Sequence, residues 1–150
     1  LAKGIASGFP LGALLMNTEL SKKWSTSAHG GTFTGNPVAC AAGSATIKEL
    51  LKIMPKLPTR GLYLEKGLKK LAKKYPQHIK ELRGLGLMWA MDLGSTEKTK
   101  AVRLKALEHK LLILSCGPND DALRIIPPLI VKNKQIDQAL AILDTALSSL

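Results

Sequence analysis

The chain has 150 residues, 45% hydrophobic and 22% charged, with a formal net charge of +11. That length suits one ordinary domain or two small pieces, and the composition can bury a core, which excludes a disordered tail. No run approaches the roughly 18 uninterrupted apolar residues of a membrane span, and no charged region, apolar run and small-residue cleavage site mark a leader. Cys40 and Cys116 stand far apart, and His29, His78 and His109 lack metal-ligand spacing. Two buried free thiols, a reducing cytoplasmic compartment and no metal site are expected.

In chain order, Leu1-Ala2-Lys3-Gly4 opens a stretch of glycines and small residues with no helix cap, so the sequence reads as a piece of a longer protein. Ala13-Leu14-Leu15-Met16 suits a buried strand. Thr18 is placed to cap a short helix over 19–24. Ser25 to Gly35 is a loop. Asn36-Pro37 then provides an N-cap and a first-turn proline for a helix reaching about Ile53. The first half of that helix is all small residues, which lets another backbone approach closely. Pro55 and Pro58 mark a break, taken as the boundary between regions 1–54 and 55–150.

Beyond it, a helix over 61–75 carries Leu64, Leu68, Leu71 and Tyr75 on one stripe. Lys66, Lys69, Lys70, Lys73 and Lys74 occupy the other. Strands are expected at 79–83, 87–93, 111–116 and 122–126, the first only a short candidate beside a turn at Gly84-Leu85-Gly86. Thr96 caps a helix over 97–109. A last helix over 134–147 has Ile136, Leu140, Leu143 and Leu147 at helical spacing. The second region is therefore expected as a small α+β domain on a sheet of about three strands. The lysine excess reads as a solvated face, because aromatics are only 4% of the chain and none interleave with it. Neither nucleic acid nor membrane is an expected partner.

Three features have the chemistry for a site. Lys3 sits among Gly4, Gly8 and Gly12 with apolar Ile5, Phe9 and Leu11 nearby. Such surroundings favour the neutral amine that a lysine nucleophile needs. A solvated lysine is the alternative. His29-Gly30-Gly31-Thr32-Phe33-Thr34-Gly35-Asn36-Pro37 places hydroxyls in a glycine-rich loop before a helix N-terminus, which suits a phosphate or simply an ordinary capped loop. Arg124 interrupts the apolar Ala122-Leu123-Arg124-Ile125-Ile126. It needs an anionic partner if buried, or lies in water on an edge strand.

Leu1-Ala2-Lys3-Gly4 with Gly8-Phe9-Pro10-Leu11-Gly12-Ala13 resembles the lysine segment of class III, ornithine/4-aminobutyrate-type, pyridoxal-phosphate aminotransferases. His29 to Ala41, Arg83-Gly84-Leu85-Gly86-Leu87-Met88 and Leu123-Arg124-Ile125-Ile126-Pro127-Pro128-Leu129 resemble three further segments of that family, in its order. The resemblance implies an α/β fold. Region 1–54 would be the end of a fold-type I large domain, followed by the small C-terminal domain. It implies that Lys3 is the Schiff-base lysine for pyridoxal 5'-phosphate and moves a proton at the substrate α-carbon. Thr32 would bind the cofactor phosphate from the neighbouring subunit of a homodimer, and Arg124 would bind the substrate carboxylate.

The expected reaction is transamination between an amine donor and 2-oxoglutarate. The Leu114-Ser115-Cys116-Gly117 segment resembles 4-aminobutyrate aminotransferases more than acetylornithine ones, which implies 4-aminobutyrate or a similar amine as donor. Acetylornithine or ornithine aminotransferases and a racemase of the same family are alternatives. A non-catalytic basic binding domain is the alternative of another class. The family's pyridine-nitrogen aspartate, ring-stacking aromatic and main phosphate loop lie upstream of the lysine, so this chain alone is expected to be inactive.

Overall fold

A computed structural model describes all residues from Leu1 to Leu150. The chain divides into two compact units, Leu1–Lys52 and Ile53–Leu150.

In the first unit a 3-10 turn, Lys3–Ala6, is followed by a short helix α1 (Thr18–Lys22) and a long helix α2 (Pro37–Ile53). The cap of α1 is Asn17, whose Oδ1 accepts from Leu20 N at 2.9 Å, one residue before the expected Thr18. At α2 the expected cap is present: Asn36 Oδ1 accepts from Ala39 N at 3.0 Å, with Pro37 in the first turn. The expected strand at Ala13–Met16 does not form. A strand exists only where a neighbour completes its ladder, and this segment has none, leaving Leu14 and Leu15 70% and 76% exposed. Within this unit only Ala6, Ala39 and Gly43 are buried.

The proline-marked break is a helix junction. A single 3-10 turn, Met54–Lys56, joins α2 to helix α3 (Leu57–Lys74), which starts earlier than expected because Pro58 sits in its first turn, where no N–H is needed. Strands β1 (Glu81–Leu85) and β2 (Met88–Asp92) form a hairpin. Helix α4 (Thr96–Glu108), strands β3 (Leu114–Cys116) and β4 (Ala122–Ile125), and helix α5 (Asn133–Leu147) complete the unit. Ser95, not Thr96, caps α4, its Oγ accepting from Lys98 N at 3.3 Å.

The sheet has four strands in the order β1-β2-β4-β3, all antiparallel, rather than about three. The fourth strand is the short candidate expected at 79–83, found at Glu81–Leu85; Gly84 and Leu85 are not a turn but its end, paired with Trp89 and Met88. The hairpin loop is Gly86-Leu87, and Gly86 has φ +61° as a primed turn requires. Gly84 is in the strand because a Cβ there would meet Met88 O at 2.4 Å and Trp89 Cδ2 at 2.5 Å.

One face of the sheet packs on the three helices. Trp89, Met91, Leu123 and Ile125 meet Leu64, Leu68 and Leu71 of α3, Val102 and Ala106 of α4, and Ile136, Leu143 and Leu147 of α5. The expected apolar stripes of α3 and α5 are thus the core, except that Leu140 is only partly buried. All five lysines of the α3 cluster are exposed. Lys74 donates to Asp144 of α5 at 2.6 Å, and the buried Tyr75 hydroxyl donates to the same carboxylate at 2.9 Å. These bonds hold the Asp144 carboxyl below its usual range, Lys74 first and Tyr75 second.

Candidate active site

Lys3 begins the first 3-10 turn with φ +56°, in the left-handed region that a lysine rarely adopts. Ser7, which closes the turn, is also left-handed at φ +49°, and its N–H donates to Gly4 O at 3.1 Å. The segment beyond is pinned where Ala13 N donates to Leu1 O at 2.8 Å. The Lys3 ammonium pairs with no carboxylate of the chain. Its apolar neighbours do not enclose it: Lys3 and Phe9 are exposed and Ile5 and Leu11 half-buried. The expected desolvation of this amine is therefore absent within the chain, since the first unit has almost no interior of its own.

Thr32 lies in the exposed loop before α2. Thr34 N donates to Gly31 O at 3.0 Å and Asn36 N to Phe33 O at 3.2 Å, so two successive turns lead into the helix cap. Thr32 lies in the first of these turns, a few residues before the N-terminus of a 17-residue helix, where an anion is favoured. Lys3 and Thr32 belong to the first unit and Arg124 to the second.

Arg124 is not on an edge strand, nor is it buried. It sits in β4, between β2 and β3, opposite Ala90 and Leu114. Strand alternation turns Leu123 and Ile125 into the core and Arg124 onto the open face, where it is exposed. The other arginine on that face, Arg83, is held by Glu81 and by Asp92 at 3.2 Å, and both carboxylates push its guanidinium upward, Glu81 first. Arg124 has no such partner and is free for an external anion. An apolar cleft of about 810 Å³ that includes Arg124 is lined by Leu111 to Leu114, Ile125 to Pro128 and Ile136. The cleft has no signature in the sequence: the apolar run Leu111–Leu114 suits a strand throughout, but only its last residue pairs.

The cysteines also depart from expectation. Cys40 is exposed on α2 and Cys116 half-buried at the end of β3; both are free thiols. No helix of the chain is long and apolar enough to cross a membrane.

The model of the aminotransferase class-III family matches residues 1–147. An acetylornithine aminotransferase of Caldanaerobacter subterraneus subsp. tengcongensis is 42% identical over all of this chain, which covers 37% of that protein. Another, of Methanocaldococcus jannaschii, is 38% identical over 96% of this chain and 35% of its own length. Among solved structures, a phospholyase from Arthrobacter in complex with phosphoethanolamine superposes with a TM-score of 0.91 at 30% identity, over 99% of this chain and 38% of that one. An S-selective transaminase from Arthrobacter sp. gives 0.88 at 26% identity, over 99% and 37%. This chain thus spans a little over a third of its relatives' length. The two sequence relatives are named for acetylornithine, which favours that alternative over the 4-aminobutyrate reading of Leu114–Gly117. The family is pyridoxal-phosphate-dependent, its structural relatives are fold-type I enzymes, and this chain belongs to the class III aminotransferases.

Proposed function

We propose that this chain is the C-terminal part of a pyridoxal-phosphate-dependent aminotransferase whose donor is N-acetylornithine or a close δ-amine, with 2-oxoglutarate as acceptor. The observation that carries the reading is the family match over residues 1–147, joined to relatives named acetylornithine aminotransferases across 95–100% of the chain. Leu1–Lys52 would be the end of the cofactor-binding domain and Ile53–Leu150 the small domain. A non-catalytic basic domain leaves that match unexplained.

Each role is the one that the family resemblance implies, and each suits the residue's chemistry. Bound cofactor supplies an aldehyde and an electron-accepting ring. Lys3, as the neutral amine, would hold the cofactor through its aldehyde, and its Nζ would take the proton from the substrate α-carbon as a general base. The Thr32 hydroxyl would donate to the cofactor phosphate from the neighbouring subunit of a homodimer. The Arg124 guanidinium forms a two-pronged bond to the α-carboxylate of donor and keto acid alike. That use explains why an arginine stands unpaired on an otherwise apolar strand.

The test uses the full-length protein loaded with cofactor and a panel of donors in single turnover. N-acetylornithine should discharge the enzyme at least tenfold faster than 4-aminobutyrate, and 2-oxoglutarate should restore it. Phosphate release from phosphoethanolamine, or racemisation of an amino acid with no acceptor present, would assign a different reaction on the same fold.

A further inference from the structure

All burial in the first unit gathers at one place. Ala6 of the Lys3 turn, and Ala39 and Gly43 of α2, are its buried residues. Ala39, Gly43 and Thr46 are spaced four and three apart, so they form one stripe of the helix. The Lys3 turn lies on that stripe. A Cβ on Gly43 would meet Leu11 Cδ2 at 2.7 Å, so the glycine makes room for that side chain, while Ile5 O of the turn lies 3.7 Å away, at ordinary contact distance.

One side-chain bond fastens the far end of the turn. Ser7 Oγ and Thr46 Oγ1 are 2.9 Å apart, and Thr46 Oγ1 donates to Ala42 O at 2.8 Å. The single hydroxyl proton of Thr46 is spent on Ala42, so Ser7 is the donor. Ser7 is thereby held twice, by its side chain to α2 and by its N–H to Gly4 O. Gly4 follows Lys3 directly. Two non-glycine residues in left-handed conformation bracket this turn, and such conformations persist only where the surroundings over-determine them. Thr46 and Ser7 provide that constraint.

We propose that Thr46 and Ser7 are a positioning pair that fixes the direction of the Lys3 side chain for proton transfer. Neither touches the amine; both act through the turn. The inference rests on the reading of Lys3 as the cofactor-linked lysine. It identifies positioning residues beyond the four segments that carry the family resemblance, since Thr46 lies outside all of them.

The experiment uses the full-length enzyme with Thr46→Val, which keeps the branched shape and loses the hydroxyl, Thr46→Ser, which restores it, and Ser7→Ala. Three quantities are read. In the cofactor-free protein, the pH dependence of Lys3 acetylation by acetic anhydride is followed by mass spectrometry, with the other lysines as internal reference. In the loaded enzyme, the visible absorbance is titrated with pH. Steady-state kinetics separate kcat from KM. Thr46→Val and Ser7→Ala should each change Lys3 acetylation several-fold relative to the other lysines and shift the absorbance midpoint. They should also lower kcat on the order of tenfold, at nearly constant donor KM, as misplacement of a reacting group does. Thr46→Ser should restore all three, and the double variant should resemble either single one, because the pair acts as a unit. Ser7→Ala, at an exposed position, gives the same readings should Thr46→Val not fold. If Lys3 carries reduced cofactor after borohydride treatment, yet the variants leave acetylation, midpoint and kcat unmoved, the positioning role is overturned alone. If Lys3 carries none, the underlying assignment falls and the pair's role with it.

Discussion

Replacing Gly84 by alanine tests whether the hairpin is set by packing rather than by turn chemistry. The added Cβ would lie 2.4 Å from Met88 O and 2.5 Å from the Trp89 ring, about 1 Å inside ordinary contact. Neither neighbour can yield. Met88 is in the ladder opposite Leu85. Trp89 is 6% exposed, and its Nε1 donates to Gly86 O at 2.9 Å. Overpacking costs ~1–3 kcal/mol, and a clash with backbone and a buried ring belongs at the upper end. Against that, removing a glycine from a strand returns about 0.5–1 kcal/mol. The clash wins, leaving a net loss of about 2 kcal/mol, which for a unit of roughly 100 residues lowers Tm by ~8–16 °C. Gly86→Ala is the control. Its Cβ would meet open space, so only the φ of +61° is penalised. That costs about 1 kcal/mol and ~4–8 °C. Thermal unfolding of both variants, followed by circular dichroism, gives the comparison. A Gly84→Ala melting within about 2 °C of the parent would refute the reasoning, as would a larger drop in Gly86→Ala.

Leu68→Ala removes a side chain that is 0% exposed at the meeting of α3 with the sheet. Chemical denaturation should show a loss of about 3–4 kcal/mol, with an unchanged denaturant slope. Asp144 makes a pH-dependent contribution. Its folded-state carboxyl is held low, by Lys74 first and then Tyr75, so its stabilisation is complete above the unfolded-state carboxylate pKa of about 3.9 and is lost as pH falls through the lower folded value. Asp144→Asn should therefore melt lower than the parent at pH 7, and the gap should close as pH drops below about 4; a gap constant with pH would contradict the assignment. Arg124→Lys, in the full-length enzyme, keeps the charge and loses the two-pronged geometry. The KM for the keto acid should rise on the order of tenfold or more, with thermal stability unchanged.

How far the sequence could be read differs between the two units. In the second, α3 and α5 each bury their own stripe against a shared sheet, so periodicity found Leu64, Leu68, Leu71, Ile136, Leu143 and Leu147 correctly. The strand left out of the count is β1, whose end at Gly84 looks like turn chemistry but is a strand residue making room for Trp89, a pairing between positions five apart that local propensity does not encode. In the first unit, Asn36-Pro37 announced α2, because a cap is a local device. Ala13–Met16 failed because a strand is defined by a partner, and none is within this chain. The exposure of Lys3 has the same origin. Arg124 was legible as an arginine inside an apolar strand. That it stands on a central strand and faces away from the core depended on the register with Ala90 and Leu114. The Ser7–Thr46 bond joins residues 39 positions apart and has no signature in sequence.

The central claim is that the amine of Lys3 is the group that joins the cofactor. Full-length protein saturated with pyridoxal 5'-phosphate, reduced with borohydride, digested and mapped by mass spectrometry tests it directly. The account predicts a single peptide carrying the reduced cofactor, with the added mass on Lys3 and none in Lys3→Ala. Modification at another lysine, or a fully labelled Lys3→Ala protein, would contradict it.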